Sequence, residues 1–217
     1  MKRCVFVCAV AIVATADTSF AQAKEPIGWF VLDLRAASVG LPAVAGWTPV
    51  VPENTQVPAR ALGAEAGAHV YLLRLPGITF GLGATLLTGR STSSPPPPGG
   101  TPQTIPEVTT KLRSIVPQVS MNFGHSMGWS YLSVGLGRTR VESQATLSAG
   151  TITFIPRDSG WIKTLNYGGG ARWFINDHLG VGFDLRWHKL SIVSATATRP
   201  GAPRASLLTA AAGLVLK

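Results

Sequence analysis

The chain has 217 residues, 46% of them hydrophobic, and its 19 basic and 10 acidic side chains give a formal charge of +9. That length suits one domain, and the excess charge is spread out, with no Lys/Arg block or aromatic-interleaved basic stripe. No nucleic-acid partner is therefore expected, and the two cysteines, Cys4 and Cys8, are too few for a disulfide-stapled scaffold.

Residues 1–23 have the three parts of a secretory signal peptide. Lys2 and Arg3 form a basic head, Val5–Ala14 is an apolar core too short to span a bilayer, and Ala21-Gln22-Ala23 offers a small-x-small cleavage site. Cleavage after Ala23 removes both cysteines, and with them disulfide, zinc–thiolate and cysteine-nucleophile chemistry. Losing Lys2, Arg3 and Asp17 also takes the 19 basic and 10 acidic side chains to 17 and 9, a formal +8. Residues 24–217 are then one domain, with no second domain expected downstream.

No later segment has the ~18 consecutive apolar residues of a transmembrane helix. Period-two alternation recurs instead. Phe30, Leu32, Leu34 and Ala36 alternate with Val31, Asp33 and Arg35, and Ala66, Ala68, Val70 and Leu72 with Gly67, His69 and Tyr71. Ile78 to Leu86 repeats the pattern around Gly81 and Gly83, and Ile115 to Phe123 around Gln118, Ser120 and Asn122. Leu132–Leu136, Leu165–Ile175, Val181–Trp187 and Leu208–Leu216 continue it. Eight segments of this kind predict eight strands of about 9–13 residues each.

The connections alternate in length. Leu75-Pro76-Gly77, Gly124–Gly128 and Asn176-Asp177-His178 read as tight turns. Between them fall long stretches near 39–62, 91–111, 142–160 and 196–204, the second containing SSPPPPGGTP. Short turns on the periplasmic side and long loops outside form the outer-membrane barrel pattern. A soluble, lipocalin-like barrel also alternates and stands as the competing reading. The parities favour the membrane: one is uncharged and aliphatic or aromatic mid-strand. The other is glycine-rich and carries Asp33, Arg35, Glu65, His69, Arg172, Asp184, Arg186 and His188. These eight are the candidate polar network of a narrow lumen.

Asn166–Trp187, NYGGGARWFINDHLGVGFDLRW, resembles the penultimate hairpin of the small OmpA-type outer-membrane β-barrels, and Pro117–Gly137 resembles the hairpin before it. The resemblance implies an all-β fold, an eight-stranded antiparallel up-and-down transmembrane β-barrel with both termini in the periplasm. It also implies a bacterial outer-membrane location, contact with lipid and lipopolysaccharide, insertion by the outer-membrane assembly machinery, and a monomer. One departure is the last strand, which ends Leu214-Val215-Leu216-Lys217 where the family usually ends on an aromatic residue.

The stretch Gly124-His125-Ser126-Met127-Gly128 spells the G-x-S-x-G nucleophile elbow, and Asp177 and His178 follow in hydrolase order. The elbow needs a helix after its serine, whereas an alternating, glycine-interrupted segment follows here, so the match reads as coincidence. His188 with Ser191 is a second hydrolytic pairing, but it lacks a matched acid. The expectation is a non-enzymatic barrel with a structural or surface-interaction role, without cofactor or metal. A small channel or hydrophobic-solute conduit and a lipid A-modifying hydrolase are the alternatives. N-terminal sequencing of the exported protein should begin at Lys24; a sequence starting at Met1 would contradict the signal assignment.

Overall fold

A backbone that crosses hydrocarbon has no water to bond, so strands survive there only if no edge is left open. The computed structural model describes residues 25–42, 46–52, 55–93, 106–147, 154–196 and 201–217, so residues 1–23, expected to be a signal peptide, and the proline run Pro95–Pro98 lie outside the described residues. The strands are β1 Phe30–Gly40, β2 Arg60–Leu75, β3 Ile78–Ser93, β4 Glu107–His125 and β5 Gly128–Thr146. They continue with the two-residue β6 Arg157–Asp158, then β7 Ile162–Phe174, β8 Leu179–Leu190 and β9 Ala205–Leu216. Every pairing is antiparallel, and β9 pairs with β1 from Leu32↔Leu216 to Val39↔Thr209. That seam closes an eight-stranded barrel, with β6 an extra rung on β5.

Three short turns share one end of the barrel. Gly77 has φ +79°, as the third position of a type II turn requires after Pro76. Asn176 Oδ1 accepts hydrogen bonds from the N–H groups of His178 and Leu179 at 2.9 and 2.8 Å. Ser126-Met127 joins β4 to β5, with His125 paired to Gly128.

The side chains divide as a membrane barrel requires. Leu82, Val134 and Phe183 are 51%, 45% and 46% exposed, while Asp33, Arg172 and Asp184 are buried inside. A lipocalin-like barrel would reverse those faces. The exposed apolar wall and charged interior therefore identify a lipid-facing barrel.

β4 and β5 run to 19 residues each, longer than the alternation alone suggested. At ~3.4 Å per residue and a tilt of ~40° such strands reach roughly 47 Å along the axis, well beyond the ~25 Å apolar band. The cause is a reversal of polarity. Towards the long-loop end Leu87, Leu112 and Val141 point inward, and Arg90, Lys111, Arg113 and Arg138 point outward. Water replaces lipid around these outer ends, so alternation continues with its meaning exchanged, and the apparent loop starts are still strand.

Apolar clusters plug both ends of the interior. Ile27, Val31, Tyr71, Trp129, Phe174 and Val215 pack at the short-turn end, where the Trp129 and Phe174 rings stack 5.0 Å apart. Leu87, Leu112, Val141, Leu190 and Leu207 fill the other end beneath Trp47, whose indole N–H donates to the Pro203 carbonyl at 2.9 Å. Changing Leu82, Val134 or Phe183 to Arg should destabilise the barrel by ~2–4 kcal/mol in urea titrations in lipid vesicles, because the guanidinium must enter hydrocarbon. Substitutions without cost there would place those residues in water.

Candidate functional site

The middle of the barrel is ionic. Alternation puts Asp33 and Arg35 on the same face of β1, Glu65 and His69 on β2, Arg172 on β7, and Asp184, Arg186 and His188 on β8. All eight are buried in the lumen. Arg172 grips Asp33 with two hydrogen bonds, Nε to Oδ1 at 3.0 Å and Nη2 to Oδ2 at 2.7 Å. Arg35 joins Asp33 at 2.5 Å to Glu65 at 2.9 Å. Arg186 holds both oxygens of Asp184, at 2.5 and 2.9 Å. Arg35 also lies 3.9 Å from Asp184, which links the two halves.

Three guanidiniums thus face three carboxylates, and their formal charges cancel. Buried charges need this, because an unpaired one forfeits its hydration with nothing in return. Neutral groups complete the layer. Tyr131 donates its hydroxyl proton to Asp184, and its ring lies 4.1 Å from the Arg172 guanidinium carbon. Arg186 donates to Asn166 at 2.9 Å and also to Gln118. Because the Gln118 carbonyl is occupied by Arg186, its amide nitrogen donates to His69 Nε2 at 2.8 Å. His69 Nδ1 lies 3.8 Å from Asp33 Oδ2 and 3.5 Å from Arg172 Nη2. His188 contacts Asn166 at 3.2 Å. Glu65 is held by one oxygen only, and its Oε2 has no hydrogen-bond partner among the described residues.

Glycines on the facing strands make the room. Asp33 sits opposite Gly67, Asp184 opposite Gly170, and Arg35 opposite Gly213. A Cβ on Gly170 would come within 2.8 Å of the Tyr131 hydroxyl, and one on Gly213 within 2.6 Å of Arg35 Cα. Large side chains facing small ones are what a narrow barrel needs to pack. Tyr71, Tyr131, Gln118 and Asn166 join the network although only the charged residues and histidines had been singled out. Tyr71 shares its parity with His69 on β2 and Asn166 with Arg172 on β7, which could have found those two, whereas β4 and β5, which carry Gln118 and Tyr131, have none of the eight.

The serine motif is differently placed. Ser126 is in a two-residue hairpin turn followed by strand β5, so no helix aims it. Its N–H donates to the Glu25 carbonyl at 2.9 Å, and its own carbonyl accepts from Lys217 Nζ at 2.6 Å. Lys217 also donates its backbone N–H to the His178 carbonyl at 3.1 Å. These contacts stitch the short-turn end together. His188 and Ser191 are engaged separately, His188 with Asn166 and the Ser191 hydroxyl with the Lys163 carbonyl at 2.8 Å. Among the described residues no group of three or more His, Cys, Asp or Glu side chains is placed to hold a metal ion.

No family model matches the sequence, and no curated protein matches it either. Solved structures do. Ail, the attachment invasion locus protein of Yersinia pestis, matches with a TM-score of 0.50 at 10% identity, over 88% of this chain and 98% of that one. The fold is that of a small outer-membrane β-barrel. Ail in complex with the heparin analogue sucrose octasulfate matches with a TM-score of 0.51, again at 10% identity and with the same coverage. Neisserial surface protein A matches at 15% identity over 87% of this chain and 96% of that one, with a TM-score of 0.48.

Arg172→Leu should cost this barrel about 3–5 kcal/mol, because it leaves Asp33 buried with Arg35 as its sole strong partner. Unfolding in urea from lipid vesicles measures this, and a loss below ~1 kcal/mol would mean that the network does not brace the barrel.

Proposed function

We propose that the chain is a bacterial outer-membrane protein that serves as a rigid surface-interaction scaffold, with its long connections outside the cell and its short turns in the periplasm. The observation that carries this reading is the outer extension of β3, β4 and β5. These strands rise past the apolar band, pack an apolar interior, and turn Arg90, Lys111 and Arg113 outward. A stiff platform above the membrane can present a binding face without having to order it first.

The outward cations favour a polyanionic partner. The heparin analogue bound to Ail has that chemistry, and the same class of ligand is proposed for this extension. The barrel works as a monomer surrounded by lipid and lipopolysaccharide and is inserted by the outer-membrane assembly machinery. The ionic layer between two apolar plugs supports a solid scaffold over a conduit. The separate engagement of Ser126, His188 and Ser191 supports a non-enzymatic role.

Cells displaying the protein should adhere to immobilised heparin in a salt-sensitive way. Arg90→Gln, Lys111→Gln and Arg113→Gln together should reduce that adhesion several-fold, and equal adhesion of wild type and variant would overturn the polyanion reading. Labelling intact cells with a membrane-impermeant maleimide should modify Gln144→Cys and spare Asp177→Cys; the opposite result would invert the barrel.

A further inference from the structure

One place in the barrel wall is interrupted. Pro117 sits mid-strand in β4 and has no N–H to offer β5. The ladder skips there: Ile115 pairs with Arg138 and Gln118 with Gly135, while Val116 and Pro117 pair only with Thr85 and Ala84 of β3, and Leu136 and Gly137 only with Leu165 and Thr164 of β7. Across the gap Gly135 and Gly137 of β5 share the inward parity of Ser133 and let the two backbones approach closely. A Cβ would come within 2.4 Å of the Pro117 carbonyl oxygen at the first and 2.2 Å of that of Ile115 at the second. On the lipid side lies a groove of about 970 Å³ floored by Ile115, Pro117, Leu136 and Leu165. A second groove of about 610 Å³ shares the last three of these and runs on past Leu82, Val119 and Val134 towards the short-turn end. Together they form one apolar channel along the outer wall.

Four cations rim its outer end: Arg138, Lys163, Lys189 and Arg204. All four are exposed, and none has an ion-pair partner among the described residues. Arg138 and Lys163 face each other directly across the β5–β7 ladder, and Lys189 pairs with Leu165 on the next strand. Like charges directly opposite destabilise a sheet, so an anion seated between them relieves the wall. Each cation on a strand lies one alternate step outside a lipid-facing apolar residue, Leu136 below Arg138, Leu165 below Lys163 and Trp187 below Lys189. That is the height of lipid headgroups.

We propose that this groove binds an anionic, phosphorylated and multiply acylated lipid, with phosphate among the four cations and an acyl chain lying along Pro117. A soluble anion would use the rim and leave the apolar channel without an occupant, whereas a lipid fits both. The site differs from the outer extension assigned above to a surface partner, and it depends only on the barrel spanning the membrane.

The test uses the full barrel in phosphatidylcholine bilayers with a minor fraction of a diphosphorylated, acylated glucosamine lipid carrying brominated chains. A bimane fluorophore is attached at Leu136→Cys in one sample and at Ala36→Cys in another; Ala36 is exposed on β1, whose outward residues Leu34, Ala36 and Ser38 include no cation. The brominated lipid should quench Leu136→Cys more strongly than Ala36→Cys, and the preference should disappear with the dephosphorylated lipid. Arg138→Gln or Lys163→Gln should each weaken the apparent affinity roughly fivefold, the contribution of one cation near an anionic headgroup. Equal quenching at the two positions, or a preference that survives removal of the phosphates, would overturn the proposal. Brominated phosphatidylcholine that fails to quench Ala36→Cys would instead refute the membrane placement itself, which keeps the two failures apart.

Discussion

The backbone hydrogen bond, deprived of water, is the constraint from which the rest of this structure follows. In hydrocarbon every unpaired N–H or carbonyl costs several kcal/mol, so the ladder between β9 and β1 is as necessary as any hairpin. It runs from Leu32↔Leu216 to Val39↔Thr209 and leaves no edge in the spanning region. Proline is tolerated at position 117 because its missing N–H removes a donor and leaves none unpaired there. The cost is confined to a two-residue gap in the β4–β5 ladder, between the Ile115–Arg138 and Gln118–Gly135 pairs. The lipid-side groove over Pro117 and Leu136 lies at that gap.

Closure at eight strands sets the second problem, a lumen only wide enough for its own side chains. The chain fills it in layers. An apolar and aromatic plug closes the short-turn end, three arginines and three acids occupy the middle, and a second apolar cluster lies under Trp47. Confined between the plugs, these charges act on one another at low dielectric, where each pair is stronger and each unpaired group costlier. That explains the forked geometry of Arg172 on Asp33 and of Arg186 on Asp184, and the recruitment of Gln118, Asn166 and Tyr131 to the remaining donors and acceptors. This layer ties β1, β2, β7 and β8 across the barrel and serves as an internal brace, although Glu65 Oε2 and Arg35 Nε have no hydrogen-bond partner among the described residues.

The polarity reversal marks where the solvent changes. Below it Leu82, Val134 and Phe183 meet lipid while Asp184 and Arg186 face inward. Above it Leu112 and Val141 face inward while Lys111 and Arg113 meet water. The same strands carry out both programmes without a break in pairing, and the cations gather where the two meet. Structure and electrostatics therefore coincide at the outer interface, which is where the scaffold and lipid-groove proposals both lie.

Much of this was legible in the sequence, because period-two alternation is a local property and a strand exposes its two faces whatever its partners are. The eight strands, the short turns within Leu75–Gly77, Gly124–Gly128 and Asn176–His178, and the charged parity from Asp33 to His188 could all be read residue by residue. Strand ends could not. Beyond Leu86 and Leu136 the apolar residues change face, and that change has meaning only once the surrounding medium is known. Which acid each arginine grips was equally hidden, since Arg172 and Asp33 are 139 positions apart and meet only when the barrel closes. The serine motif shows the reverse case: five residues matched a catalytic pattern, and the hairpin turn that carries them decided against it. Local chemistry determined which residues alternate and turn; closure, a long-range property of the backbone ladder, decided which of them touch.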